Sequence, residues 1–252
     1  MTNLVISTND ETLVADSIIS QNFYLGVSSD PISDCHWQLR RLINGLSLVG
    51  ILDGQNFNLC FDFNEPDLLY RLKHGGRTKE PLAKAIGMKG SNELSVIDAT
   101  AGMGRESFFL SSLGCHVVSL ERQPIIYLLL QDAVERLKCN NSSLEVKQWR
   151  VIYKNSIEYL TALEKPSTDV VYLDPMFPQR TKSAAVKKEM RIFKQLSGAD
   201  EDASLLLEAS LAVAKKRVVV KRPKKAPLLS PLKPSFVIDA KKYRFDVYLT
   251  QH

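Results

Sequence analysis

The segment 96–107, Val-Ile-Asp-Ala-Thr-Ala-Gly-Met-Gly-Arg-Glu-Ser, constrains what this chain can fold into more than any other. Residues 95–98 read as a short buried strand, 99–104 as a turn of small residues, and 105–113 as a helix with Phe108, Phe109 and Leu113 apolar. A buried strand that runs through such a turn into a helix is the nucleotide-binding corner of a doubly wound α/β sheet. Gly102 and Gly104 let the backbone approach a ligand, and the helix start offers free N–H groups. The dinucleotide fingerprint G-x-G-x-x-G is incomplete, because Ser107 stands at its third glycine. A second predicted strand, 115–120, ends at Glu121, whose carboxylate is placed to accept both hydroxyls of a ribose. Asp98, an acid at the end of the first strand, disfavours a neighbouring pyrophosphate and suits a cation. An adenosine with a cationic tail, S-adenosylmethionine, therefore fits better than a nicotinamide dinucleotide. Gly102 and Gly104 would admit its methionine end, and Asp98 would face its ammonium.

The same rhythm continues downstream. Pro124 opens a helix over 125–137, a position proline favours. Strands are predicted at 151–154, 169–173 and 217–221, with an apolar helix over 203–214 and an antiparallel edge pair at 236–239 and 243–249. Strands alternating with helices imply a parallel sheet with helices on both faces, and a ligand crevice outside the carboxyl ends of the strands. Gly102, Glu121, Asn155 and Asp174 each follow a strand at that end.

Asp174-Pro-Met-Phe-Pro178 is the most informative short run. It has the form [N/D]-P-P-[Y/F/W] of amino-group methyltransferases, with Met176 in place of the second proline. An exocyclic amine on a base is a poor nucleophile because its lone pair is delocalised into the ring. The Asp174 carboxylate and the Pro175 carbonyl can accept its hydrogens and aim the lone pair, which is a proximity contribution. Phe177 offers a face for the base to stack on. Asp174 is also placed to help take the proton released.

Charge points to the partner. Residues 1–74 carry 4 Lys/Arg against 9 Asp/Glu, a net −5; residues 75–252 carry 29 against 19, a net +10. A basic catalytic half suits a polyanion such as nucleic acid. Arg77 sits in a basic, glycine-rich loop, 73–77. Lys187, Lys188 and Arg191 lie on a basic helix starting near 184, on which Val186, Met190, Phe193 and Leu196 form the packing stripe. Lys221 and Arg222 lie at the catalytic rim within a run, 215–225, that has no acid. The four cysteines are scattered and suggest neither zinc nor a disulfide framework. No metal is expected. No signal peptide and no apolar run near 18 residues is present, so a cytoplasmic protein of a reducing compartment is expected.

Residues 1–74 read as a small separate α/β domain, with strands at 4–7, 36–42 and 57–63, a helix at 11–20, and turn chemistry over 45–54. Residues 75–252 read as the catalytic domain, joined by a linker over 69–90 that includes a helix at 80–87.

The blocks DATAGMGRESF, GCHVVSLERQP, VVYLDPMFPQRTKSAAVKKEMR and RVVVKRP resemble the bacterial RsmJ family, guanine-N2 methyltransferases of 16S ribosomal RNA. The resemblance runs from about residue 75 to 248. It implies a class I, Rossmann-like, S-adenosylmethionine-dependent fold and methylation of one guanine amine of the small ribosomal subunit. It further implies cofactor contacts at Arg105 and Glu106, Glu121 and Arg122, Asn155 and Ser156, and Asp174. Where the family often has two serines, this chain has Asn155-Ser156. On the residues alone, a DNA amino-methyltransferase and a non-catalytic RNA-binding module stand as alternatives. Oligomeric state is open.

Overall fold

The computed structural model describes residues 5–8, 32–33, 36–74, 80–88, 93–140, 146–176, 188–197 and 202–250. It falls into two compact units, one of 1–62, 123–140 and 180–198, the other of 63–122, 141–179 and 199–252.

The first unit carries a four-stranded sheet in the order β1 (Val5–Thr8), β2 (His36–Leu42), β3 (Gly45–Leu52), β4 (Gln55–Cys60), with β1 parallel to β2 and the rest antiparallel. The expected turn over 45–54 is instead the eight-residue strand β3 followed by a two-residue hairpin turn. Asp53 and Gly54 make that turn with φ of 51° and 71°, the left-handed pair that an Asp-Gly dipeptide favours. The predicted helix at 11–20 lies outside the described residues. Helix α4 (Pro124–Asn140) belongs to this unit and is fixed to the sheet through Asp132. The Asp132 carboxylate accepts from the Leu46 N–H (3.0 Å) and pairs with Arg41 (3.1 Å) and Arg136 (2.8 Å).

The second unit holds a seven-stranded sheet in the order β10 (Phe236–Asp239), β11 (Tyr243–Leu249), β9 (Ala214–Pro223), β8 (Thr168–Leu173), β5 (Ser95–Asp98), β6 (His116–Glu121), β7 (Trp149–Tyr153). Strands β5 to β9 run parallel, and β11 is antiparallel to both β9 and β10. Val170, Val171, Leu173 and Val218 to Val220 are fully buried. Such continuous apolar runs are what parallel strands covered on both faces require. Crossovers are made by α3 (Arg105–Ser112), α5 (Ser156–Ala162) and α7 (Ala203–Val213). Phe63, Phe108 and Trp149 pack together in the core, with ring centroids 4.9 and 5.0 Å apart.

Sequence reading missed α1 (Pro66–His74), whose last residues Lys73 and His74 had been assigned to the basic loop. Its helical pattern is short, with only Leu68 buried. Helix α2 (Pro81–Ala85) follows, and α6 (Lys188–Ser197) belongs to the first unit. The boundary expected at 74/75 thus differs from the observed division. Helix α1 is in the second unit because Arg71 is tied there, while α4 and α6 are in the first. On α6 the buried residues are Ile192 and Phe193, and Met190 of the expected stripe is exposed.

Candidate active site

Strand register builds the site. Asp98 pairs with Ser119 of β6 and with Tyr172 of β8, so two residues on, Thr100, Glu121 and Asp174 come level. Leu173 pairs with Val220, so Asp174 comes level with Lys221. Glu121 itself pairs with Tyr153. Tyr153, Glu121, Thr100, Asp174 and Lys221 therefore form one row across the carboxyl ends of five adjacent strands. The row is tied by side chains as well: the Asp174 N–H donates to Thr100 Oγ1 (2.6 Å), and the Lys221 ammonium donates to Asp174 Oδ2 (2.8 Å).

The turn after β5 has the geometry a ligand needs. Gly102 and Gly104 have φ of 52° and 71°, a left-handed conformation in which a side chain is strained. The Gly102 N–H donates to Glu121 Oε2 (3.1 Å), which fixes this carboxylate at the end of β6, 9% exposed. Gly104 stands at the start of α3 without any side-chain cap. A positive-φ glycine turn beside a held carboxylate fits the adenosine and methionine portions of S-adenosylmethionine.

Asp98 is 1% exposed and held on both oxygens, by the Thr100 N–H (3.2 Å) and the Ser107 hydroxyl (2.6 Å). The Ser107 hydroxyl accepts from Ser119 Oγ (2.6 Å), which accepts from Trp149 Nε1 (2.8 Å). This chain of bonds explains why Ser107 replaces the third glycine: its hydroxyl supports Asp98. Burial pushes the Asp98 carboxyl up to about 7 against the two hydrogen bonds, and Glu106 and Asp174 add to the push.

Behind Asp174 lies a network of partly buried charges. Lys221 reaches Glu106 (2.9 Å) as well as Asp174, and Glu106 pairs with Arg71 (2.6 Å), which also pairs with Glu80 (2.8 Å). The Arg71 guanidinium lies 4.3 Å over the Phe109 ring, and the Lys221 ammonium 5.1 Å from the Tyr243 ring. Burial pushes the Glu106 carboxyl up, but the charges and hydrogen bonds of Lys221 and Arg71 outweigh it and hold it below the usual carboxylate range. Burial likewise disfavours the charge on Lys221, and Asp174 and Glu106 outweigh it, so the ammonium is held well above the lysine range.

Several expected contacts are placed otherwise. Arg105 pairs with Glu65 (2.7 Å) and Arg122 with Asp202 (2.6 Å). Asn155 Oδ1 caps α5, accepting from the N–H groups of Ile157 (2.9 Å) and Glu158 (3.3 Å), and the Ser156 hydroxyl donates to the Ala99 carbonyl (2.7 Å). This pair therefore fixes the rim. Lys221, expected at RNA phosphates, is committed to two carboxylates. Arg222, expected beside it, is 2% exposed and its Nε donates to the Pro227 carbonyl (3.0 Å). Lys188 donates to the Asn56 carbonyl (2.6 Å) and Arg191 pairs with Asp53. Pro175 is buried beside Asp174. Phe177, Arg77 and Lys187 lie outside the described residues. Sequence reading missed Arg71 and Thr100. Counting register from Asp98 finds Thr100, but nothing local marks Arg71. Among the described residues, no group of three His, Cys, Asp or Glu side chains is placed to hold a metal, and no helix is long and apolar enough to cross a membrane.

Comparison with known proteins agrees with this geometry. Residues 24–250 match the family described as "Putative SAM-dependent methyltransferase". A relative from Alteromonas mediterranea, named ribosomal RNA small subunit methyltransferase J, is 43% identical, covering 97% of this chain and 95% of its own length. One of the same name from Pseudoalteromonas atlantica is 50% identical over 75% of each chain. The crystal structure of a SAM-dependent methyltransferase from Neisseria gonorrhoeae is 32% identical with a TM-score of 0.71, covering 97% of this chain and 95% of that one. On these matches, this chain belongs to the ribosomal RNA small subunit methyltransferase J family of S-adenosylmethionine-dependent methyltransferases.

Proposed function

We propose that the protein transfers a methyl group to the exocyclic N2 amine of one guanosine in the 16S RNA of the small ribosomal subunit, working in the cytoplasm. The observation that supports this reading is the row Glu121, Thr100, Asp174, Lys221, in which two carboxylates share one rim. When bound, S-adenosylmethionine supplies a methyl group on a positively charged sulfur. Glu121 holds the ribose, the 102–104 turn admits the methionine end, and Asp98 meets its ammonium. Asp174 and the Pro175 carbonyl accept the two hydrogens of the guanine amine and turn its lone pair toward the methyl, and Phe177 stacks on the base. Bound there, S-adenosylmethionine would supply its methyl to the N2 lone pair aimed by Asp174 and Pro175, and the proton released from N2 would pass to water.

Phosphates are met elsewhere than at Lys221 and Arg222. Lys224 and Lys225 follow β9, and Lys241 and Lys242 form the β10–β11 turn; all four are exposed. Arg244, paired with buried Asp246 (2.7 Å), donates to the Pro223 (3.2 Å) and Lys224 (2.6 Å) carbonyls and locks the two turns together.

The test is transfer of labelled methyl to 30S subunits and protein-free 16S RNA from cells lacking the gene, with the product nucleoside identified by mass spectrometry. N2-methylguanosine at one position is expected. Asp174→Ala should abolish transfer, by 10³-fold or roughly that order, with RNA affinity within about twofold. Wild-type turnover in that variant would remove Asp174 from the chemistry. Label in DNA alone would replace the reading with a DNA amino-methyltransferase.

A further inference from the structure

We propose that Lys221 is a positioning residue for methyl transfer: anchored by Glu106, it keeps Asp174 an ionised, aimed acceptor for the target amine, and so leaves the departing proton to water. This rests on the reading of Asp174 given above.

The placement is costly unless it serves something. The Lys221 side chain is only 21% exposed, and opposite charge offsets the water its ammonium has lost. The compensation is specific. Lys221 lies level with Asp174 on the neighbouring strand and spans 2.8 Å to it and 2.9 Å to Glu106, which Arg71 holds from its other side. The chain Asp174, Lys221, Glu106, Arg71, Glu80 thus runs from the rim back to α1 and α2. The Asp174 backbone is pinned independently by Thr100. Both the position and the charge state of the carboxylate are therefore fixed before substrate arrives, which is preorganisation in the sense that matters for catalysis.

The same contact limits what Asp174 can do. A carboxylate beside an ammonium is a good hydrogen-bond acceptor and a poor base. The methylated amine is cationic and loses its proton to water without a strong base. The expectation that Asp174 takes this proton is thereby replaced. Among the described residues, the charged or titratable groups around Asp174 include Lys221 on β9, Glu106 on α3, Arg71 on α1, Asp98 on β5, Tyr172 on β8 and Tyr243 on β11. Tyr172, fully buried near three carboxylates, stays a phenol. Removing Lys221 takes away the ammonium 2.8 Å from Asp174 and leaves Glu106 and Asp98 near it, which favours protonation of Asp174.

The experiment compares wild type, K221M, K221R and E106Q in the full-length protein. Single-turnover transfer to small-subunit RNA is followed against pH, and the Asp174 carboxyl carbon is followed by ¹³C NMR without substrate, assigned with D174N. In K221M the acid limb of the rate profile and the NMR transition should both move to higher pH by about one unit or more, a tenfold loss at the acid end that recovers as pH rises. Calorimetric cofactor affinity should stay within about twofold. K221R should restore most of the rate. E106Q, which removes a competing carboxylate, should move the NMR transition the opposite way, and it keeps the test alive if K221M does not fold. In a D174N background K221M should add little. An unmoved NMR transition, or an equal loss at every pH and in both backgrounds, overturns the proposal. Absence of any wild-type transfer to ribosomal RNA would overturn the substrate reading instead, while the NMR titration would still decide the Lys221–Asp174 link.

Discussion

At the scale of single residues, the site is a set of buried polar groups whose charge states are set by their neighbours. Asp98 has the most measurable consequence. Its carboxyl is pushed from an ordinary 3.8 to about 7 by burial. A carboxyl with a raised pKa in the folded state binds a proton that the unfolded chain has lost between those two values. Stability contributed at this position therefore falls as pH rises from about 4 to about 7, and is level above. Asp98→Asn carries no such charge; its Oδ1 can still accept from the Thr100 N–H, while its Nδ2 has to donate to the Ser107 hydroxyl oxygen instead of accepting from it. Its stability relative to wild type should rise across that window by an amount on the order of 4 kcal/mol, read from urea unfolding of the cofactor-free protein at several pH values. Parallel curves for the two proteins would mean that Asp98 is already ionised. Asp98, Glu121 and Asp174 were legible in the sequence because each directly ends or follows an apolar strand. Lys221 was read as a phosphate contact because it stands at the rim in a run of cations, and only register pairs it with Asp174.

At the scale of elements, the joints carry the information. The Asp53-Gly54 pair marked a hairpin, yet reading 45–54 as one joint concealed β3. The carboxylate of Asp132 on α4 serves three donors at once, on β2, β3 and its own helix. Asp132→Ala leaves the Leu46 N–H and two guanidinium groups without this acceptor, and should lower stability by about 2 kcal/mol in denaturant unfolding. A loss under about 0.5 kcal/mol would show that water replaces the carboxylate fully. Nothing in the helical pattern of 124–140 tells that α4 clusters with the four-stranded sheet, since its apolar stripe would serve against any sheet.

At the scale of the whole molecule, charge is segregated along the chain, −5 in residues 1–74 and +10 in 75–252. The structure separates these cations into two kinds. Arg71, Lys221 and Arg222 are committed to the interior, whereas Lys224, Lys225, Lys241 and Lys242 stand exposed on two turns joined by Arg244. Replacing the four lysines by alanine should weaken RNA binding and lower the salt dependence of log K by roughly 3, with cofactor affinity and the saturated transfer rate unchanged. An unaltered salt slope, measured by filter binding across a potassium chloride series, would move the phosphate contacts to another face.

The sequence by itself determined the sheet, the parallel direction of its central strands and the acids that close three of them. These follow from runs of apolar residues and from turns, which are local. Only the tertiary structure decided which cations are free and which are spent on buried acids, because that depends on strand register and on Arg71, 35 residues before Glu106 in sequence and 2.6 Å from it in space.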